Sequence, residues 1–152
     1  MIATRKPAPG RLHRMDVRDA RRLRDLVVDC ERPASLARFW AVVLRWPPPV
    51  WDDEDLADLS RLGIESPEDD PSVFIDSGVD AMPRICFQRV PEGKSAKNRL
   101  HLEVNVEGER EVEAFVALGA TVHSRHEGHD GEHGWVVLLD PEGNEFCAVL
   151  LT

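Results

Sequence analysis

Several absences narrow what this 152-residue chain can be. There is no run of about eighteen apolar residues, so the sequence predicts no membrane span. The N-terminus lacks the basic, apolar, small-residue order of a secretory leader, and the expectation is a cytoplasmic protein. Cysteines number only three, Cys30, Cys86 and Cys147, each inside an apolar strand-like run and none in a CxxC spacing. An odd, scattered set of this kind predicts buried, reduced thiols rather than a disulfide framework. Glycine is too sparse for a phosphate-cradling loop, and no GxSxG or Ser/His/Asp spacing points to acyl transfer.

What is present suits one globular domain. Hydrophobic residues make up 42% of the chain, enough for a core of ordinary size. A domain of this length buries roughly 70% of its unfolded surface. Charge is unevenly spread. Residues 1–24 hold eight Lys and Arg against Asp16 and Asp19, yet the whole chain carries −9, so the body is strongly acidic. The basic arm has no interleaved aromatics and opens on Lys6-Pro7-Ala8-Pro9-Gly10, which reads as a flexible tail over residues 1–21. Nucleic acid is disfavoured as a partner, because the acidic body repels it.

Two segments show helical periodicity. Leu36, Phe39, Trp40, Val43 and Leu44 recur at i, i+3, i+4, i+7 and i+8, and Val112, Phe115 and Val116 repeat the pattern in a shorter helix. Pro33 suits a first helical turn, and Gly119 a left-handed stop. Each helix follows a strand, Asp25–Cys30 and Leu100–Val106. Sliding one strand-helix unit onto the other by 76 positions matches Leu26 with Leu102, Val28 with Val104, Glu31 with Glu107, Leu36 with Val112 and Phe39 with Phe115, without a gap. Such a repeat predicts two modules.

Strands are predicted at Thr121–Arg125, Trp135–Leu139 and Glu145–Leu150, the last two joined by a turn at Asp140-Pro141-Glu142-Gly143-Asn144. In the first module they fall at Ser72–Asp76 and Arg84–Val90. Before them, Pro47-Pro48-Pro49 and an acidic helical stretch from Asp52 to Leu62 obscure the strand that should follow Trp46, as an insertion or a replacement. Comparing the final strands at an offset of 59 sets Phe87 on Phe146 and Gln88 on Cys147.

Four stretches in this order resemble the glyoxalase-like domains of the vicinal oxygen chelate superfamily. They are Asp29-Cys30-Glu31-Arg32-Pro33 to Phe39-Trp40, Pro83 to Glu92, Lys97 to Val104, and Asp140 to Cys147, within about residues 22–152. The resemblance implies an α+β fold: two βαβββ modules, residues 22–92 and 97–152, forming a curved mixed β-sheet of eight strands around a cleft, helices outside. Members include lyases, epimerases, extradiol dioxygenases, thiol transferases and metal-free drug-sequestering proteins, so the fold does not choose the chemistry. They close their clefts within one chain or across a two-fold dimer, and a homodimer is the expectation.

The superfamily's four metal-ligand places, on the first and last strand of each module, fall on Asp25, Gln88, His101 and Cys147. Alternation independently puts His101, Glu103 and Asn105 on one face of their strand, and Glu145 with Cys147 on one face of theirs. Only His101 is a conventional ligand for its place. Gln88 offers a neutral carbonyl, Cys147 a soft thiolate better suited to zinc, and Glu145 stands one pleat away as a substitute. The divalent ion implied is Zn, Ni, Mn or Fe. The plainer reading leaves His101 a hydrogen-bonded cleft residue and Cys147 a small buried side chain.

Candidate catalytic groups are His101, Glu103 and Glu145, with Cys86, Lys94, Lys97, Arg99 and Trp135 lining the cleft. Lys94, Lys97 and Arg99 could receive a substrate carboxylate or phosphate, or be ordinary solvated cations. His123, His126, His129 and His133 form a glycine-rich loop whose spacing fits no closed zinc pattern. Three functions remain open: a metal-dependent lyase or isomerase, a metal-free binding protein holding a cationic or aromatic compound through Trp135, Trp40 or Trp51, and an interaction module.

Overall fold

The computed structural model describes residues 23–79, 82–129 and 133–151. The basic tail predicted for residues 1–21 lies outside them. The chain divides into two compact units, Met1–Pro91 and Glu92–Thr152.

The first unit runs β1 (Asp25–Cys30), α1 (Pro33–Val43), α2 (Asp53–Arg61), β2 (Ser72–Ile75) and β3 (Arg84–Arg89), with a 3-10 turn at Pro67–Asp69 before β2. Its sheet has the order β1-β3-β2, β1 parallel and β2 antiparallel to β3. Alternation decides the two faces. Ile85 and Phe87 on β3, with their register partners Ile75 and Val73 on β2, turn to the core with α1. There Leu36, Phe39, Trp40 and Val43 bury the stripe that their spacing predicted. Arg84, Cys86 and Gln88 share the opposite face with Phe74 and Ser72.

No strand forms among the described residues between α1 and β2. The three prolines cannot donate to a ladder, and the acidic stretch folds as α2. Asp52 caps this helix, accepting from the Glu54 and Asp55 amides at 3.0 and 2.9 Å, while the Asp55 carboxylate accepts from the Asp52 amide. The replacement is tied down by Asp70, a buried carboxylate that accepts from Trp51 Nε1 at 3.0 Å and from the Ser72 amide at 3.0 Å. Among the described residues the first unit therefore holds three strands, and the chain seven rather than eight.

The second unit is a full βαβββ module: β4 (Glu103–Val106), α3 (Glu109–Ala117), β5 (Thr121–His126), β6 (Trp135–Leu139) and β7 (Glu145–Leu150), in the order β4-β7-β6-β5. Again the first strand lies parallel to the last and the others are antiparallel. Phe146, Ala148, Val136, Leu138 and Val106 are buried, as are Val112 and Phe115 of α3, with Phe115 and Phe146 ring centroids 6.2 Å apart. Gly119 ends α3 in the left-handed region, with a positive φ of 109 degrees. Side chains resist that conformation, and glycine does not. The β6–β7 turn closes on the buried Asp140, whose Oδ1 accepts from the Glu142 and Asn144 amides at 2.9 Å each. The fold class is the α+β class read from the sequence.

Phe146 is fully buried. Replacing it by alanine is expected to cost about 3–5 kcal/mol in urea unfolding. Asp52→Ala removes only a cap and should cost about 1 kcal/mol.

Candidate functional site

On β4 and the residues just before it, exposure alternates as predicted. His101, Glu103 and Asn105 are exposed, whereas Leu102 and Val104 are half-buried and Val106 is buried. The parallel register sets Glu103 opposite Cys147 on β7, and the Cys147 amide donates to the Leu102 carbonyl at 2.9 Å. Cys147 lies on the face of β7 turned away from Phe146 and Ala148, hence on the face that carries Glu103.

The result is a cluster: one potential ligand atom each from His101, Glu103 and Cys147 lies within 4.8 Å of the others. His101 Nε2 is 3.4 Å from Glu103 Oε1. Both side chains are open to solvent, at 41% and 63% exposure, whereas Cys147 is only 7% exposed. Burial raises the Cys147 thiol above its ordinary pKa and the Glu103 carboxylate raises it further, against an opposing pull from Lys97.

Glu145, two residues before Cys147, has a different set of partners. Its Oε2 accepts from the Asn98 amide at 3.0 Å and lies 3.0 Å from Lys94 Nζ. The Asn98 amide is the larger cause of a pKa lowered to about 2, with Lys94 adding to it against the opposing effect of burial. Lys94 also donates to the Ala96 carbonyl at 2.6 Å. The segment from Lys94 to Asn98 is thereby strapped to the start of β7. It borders a depression of about 350 Å³ lined by Lys94, Ser95, Lys97, Glu142 and Glu145. Lys97 and Arg99 are exposed.

By register, Trp135 faces Val149 on β6–β7, and its ring stacks on His126 of β5 at 4.8 Å with 9° between planes. Ser124 Oγ sits 2.8 Å from His126 Nε2. The histidine-rich connection thus contributes one ring to an aromatic pair. Its His123 and His129 form no metal cluster among the described residues, and Asp130 and Glu132 lie outside these.

In the first unit the two sequence candidates are not brought together. Gln88 is opposite Asp29, and Asp25 is opposite Arg84, so the two stand near opposite ends of the strand pair. At the rise of an extended chain no single ion spans that separation. Asp25 is 8% exposed and paired with guanidinium groups, its Oδ1 with Arg84 at 2.9 Å and its Oδ2 with Arg24 at 2.7 Å. Burial opposes its ionisation, yet the bonds from Arg84 and Arg24 outweigh this and lower its pKa. A metal ion would have to displace both cations to reach it.

The registers also correct the offset of 59. Val27 pairs with Cys86, and Glu103, which the strand-helix repeat superposes on Val27, pairs with Cys147. The counterpart of Cys147 is therefore Cys86, not Gln88. Cys86 is buried, its Sγ 3.5 Å from Ser72 Oγ, and burial raises its pKa. Arg84, in strand parity with Cys86, was the residue that sequence reasoning passed over.

A family model described as a glyoxalase-like domain matches residues 25–149, and the chain belongs to that family. Among solved structures it is similar to a glyoxalase/bleomycin resistance protein/dioxygenase family enzyme from Burkholderia phytofirmans PsJN, at 19% identity over 86% of this chain and 98% of that one, TM-score 0.59. It is also similar to the fosfomycin resistance protein FosX, in two forms. A mutant from Listeria monocytogenes, complexed with Mn(II) and 1S,2S-dihydroxypropylphosphonic acid, shares 11% identity over 88% of this chain and 91% of that one, TM-score 0.59. FosX from Mesorhizobium loti shares 14% over 86% and 91%, TM-score 0.57. At these identities the likeness is one of fold. No curated protein matches the chain significantly.

The Glu145 strap makes a pH-dependent prediction. A carboxyl whose folded pKa is depressed stabilises the fold above its unfolded pKa, and that contribution is lost as pH falls through the folded value. Thermal midpoints should therefore decline from about pH 4.5 towards pH 2 more steeply in the native chain than in Glu145→Gln, which should start lower and vary less.

Proposed function

We propose that this chain is a small-molecule-binding protein of the glyoxalase-like family whose site is the open face of the second sheet, centred on His101. The observation that carries this reading is the convergence of His101, Glu103 and Cys147 within 4.8 Å. In a purely structural arrangement, two solvent-open titratable side chains need not gather over a buried thiol. The stacked Trp135 and His126 give the same unit a flat apolar surface for a ligand's body, and Lys97 is an exposed cation near the thiol.

Convergence also favours a second reading, a metal-dependent lyase or isomerase. Tetrahedral zinc with bonds of about 2.0–2.3 Å sets its ligand atoms about 3.3–3.8 Å apart. The exposed His101 and Glu103 can close from 4.8 Å by side-chain rotation. The N, O and S donor set suits zinc better than a hard oxygen-seeking ion, and a cation would offset the effects that keep Cys147 protonated. When bound, such an ion polarises substrate oxygens. The rest falls to the chain itself: His101 and Glu103 hold and orient the ligand, and Glu103, within reach of His101, is the group placed to move a proton. Asp25 and Gln88 contribute no ligands in this reading, since arginines hold the first and the second is remote from it along the sheet. We place the protein in the cytoplasm, as a homodimer of chains each built from two modules.

Elemental analysis of tag-free protein, repeated on His101→Ala and Cys147→Ser, tests the metal reading. About one zinc per chain, lost in both variants while circular dichroism is unchanged, supports it. If no divalent ion is retained or raises the melting temperature, the metal-dependent reading fails. The binding-protein reading then predicts that aromatic ligands quench Trp135 fluorescence, and that His101→Ala weakens them about tenfold or more without unfolding the chain. A His101→Ala variant that unfolds would make this histidine structural and overturn both readings.

A further inference from the structure

The first unit has a cavity of its own at the place left by the strand that does not form. Pro47, Pro48, Pro49 and Val50 line it together with Phe74, Ile75 and Asp76 at the end of β2 and Arg84 of β3, and it measures about 340 Å³. That is the lower end of the range that holds small organic molecules. Six of the eight lining residues are apolar by type, though polar atoms supply about half of the surface they present, and the prolines offer rings without backbone donors.

The polar end is built around Arg84. Its Nε and Nη2 both lie 2.9 Å from Asp25 Oδ1, and its guanidinium carbon lies 4.7 Å from the Phe74 ring centroid. One hydrogen bond and an ion pair to the Asp25 carboxylate, with one aromatic face, restrain the guanidinium and reduce the rotamer freedom it would lose on binding. Nη1 makes no hydrogen bond or ion pair among the described residues, and the side chain keeps 27% exposure. Arg24 also bonds Asp25, so two guanidiniums share one carboxylate and the cluster is a net cation. Asp76, the remaining charged residue of the lining, is exposed and keeps its negative charge while Oδ1 accepts from the Gly78 amide at 2.9 Å, so the charges balance overall and the positive end is local to Arg84. Proline rings, the Phe74 ring and a restrained guanidinium with a free edge complement a small flat ring that ends in a carboxylate.

We propose that this cavity binds a small aromatic monocarboxylate, its ring against Pro47–Pro49 and Phe74 and its carboxylate on the Nη1 edge of Arg84. The site lies wholly within the first unit and does not rest on the His101 cluster.

The test uses the full chain, with benzoate, benzyl alcohol and benzylamine as probes, followed by amide chemical shifts and calorimetry. Benzoate should bind saturably and shift the Val50, Phe74, Ile75 and Arg84 amides, with benzyl alcohol at least tenfold weaker and benzylamine weaker still. Arg84→Gln, which leaves Asp25 paired with Arg24, should remove the preference for benzoate over benzyl alcohol. Val50→Trp, at a position 68% exposed on the cavity wall, should fill the space and abolish binding even if Arg84→Gln proves unstable. His101→Ala should leave benzoate affinity unchanged, so failure here and failure of the His101 site are read separately. Benzoate that does not saturate, that shifts Lys97 and Arg99 instead, that binds no better than benzylamine, or that survives Val50→Trp overturns the proposal.

Discussion

Both units rest on one constraint, the parallel pairing of a first strand with a last. A parallel partner cannot be reached by a tight turn, so the chain must cross over, and in each unit it does so with a helix packed on one face of the sheet. That helix takes up the apolar parity of both strands. What remains is the other parity, and the parallel register decides which of its side chains become neighbours: Glu103 beside Cys147 in one unit, Asp25 beside Arg84 in the other.

The two units have used that equivalent geometry in opposite ways. In the second, neighbours across the strand pair are a carboxylate and a thiol with a histidine alongside, all capable of donating electron pairs to one ion. In the first, the corresponding face holds an ion pair already complete within the protein, Asp25 between Arg84 and Arg24. A carboxylate that has its cations has little to offer a metal, whereas a fixed guanidinium still has donors for an anion. One fold has produced a donor set on one sheet and a charge-bearing acceptor of anions on the other.

Much of this was legible in the sequence because it depends on period and parity. The stripe from Leu36 to Val43 and the alternation around His101 each follow from a repeat that side-chain direction enforces. Helices α1 and α3 begin at Pro33 and Glu109, and that separation reproduces the offset read from the strands. What parity cannot supply is longitudinal register. Offsets that differ by two residues preserve the face of every side chain, so hydrophobic matching alone set Gln88 against Cys147 where the sheet sets Cys86. The Asp25–Arg84 pair was hidden for the same reason, since its partners are 59 positions apart. Glu145 was placed on the correct face, yet its capture by Lys94 and the Asn98 amide depends on the path of an irregular segment.

The run Pro47-Pro48-Pro49 also bears on how this protein behaves among copies of itself. Among the described residues the first sheet has three strands, and an edge strand such as β2 carries hydrogen-bonding groups on its outer side, a natural template for a stray segment of another chain. Here the approach to the end of β2 is shared with pyrrolidine rings, which cannot extend a ladder. Residues that cannot pair as a strand thus stand beside the end of β2, and that end offers a neighbouring chain less ladder to extend.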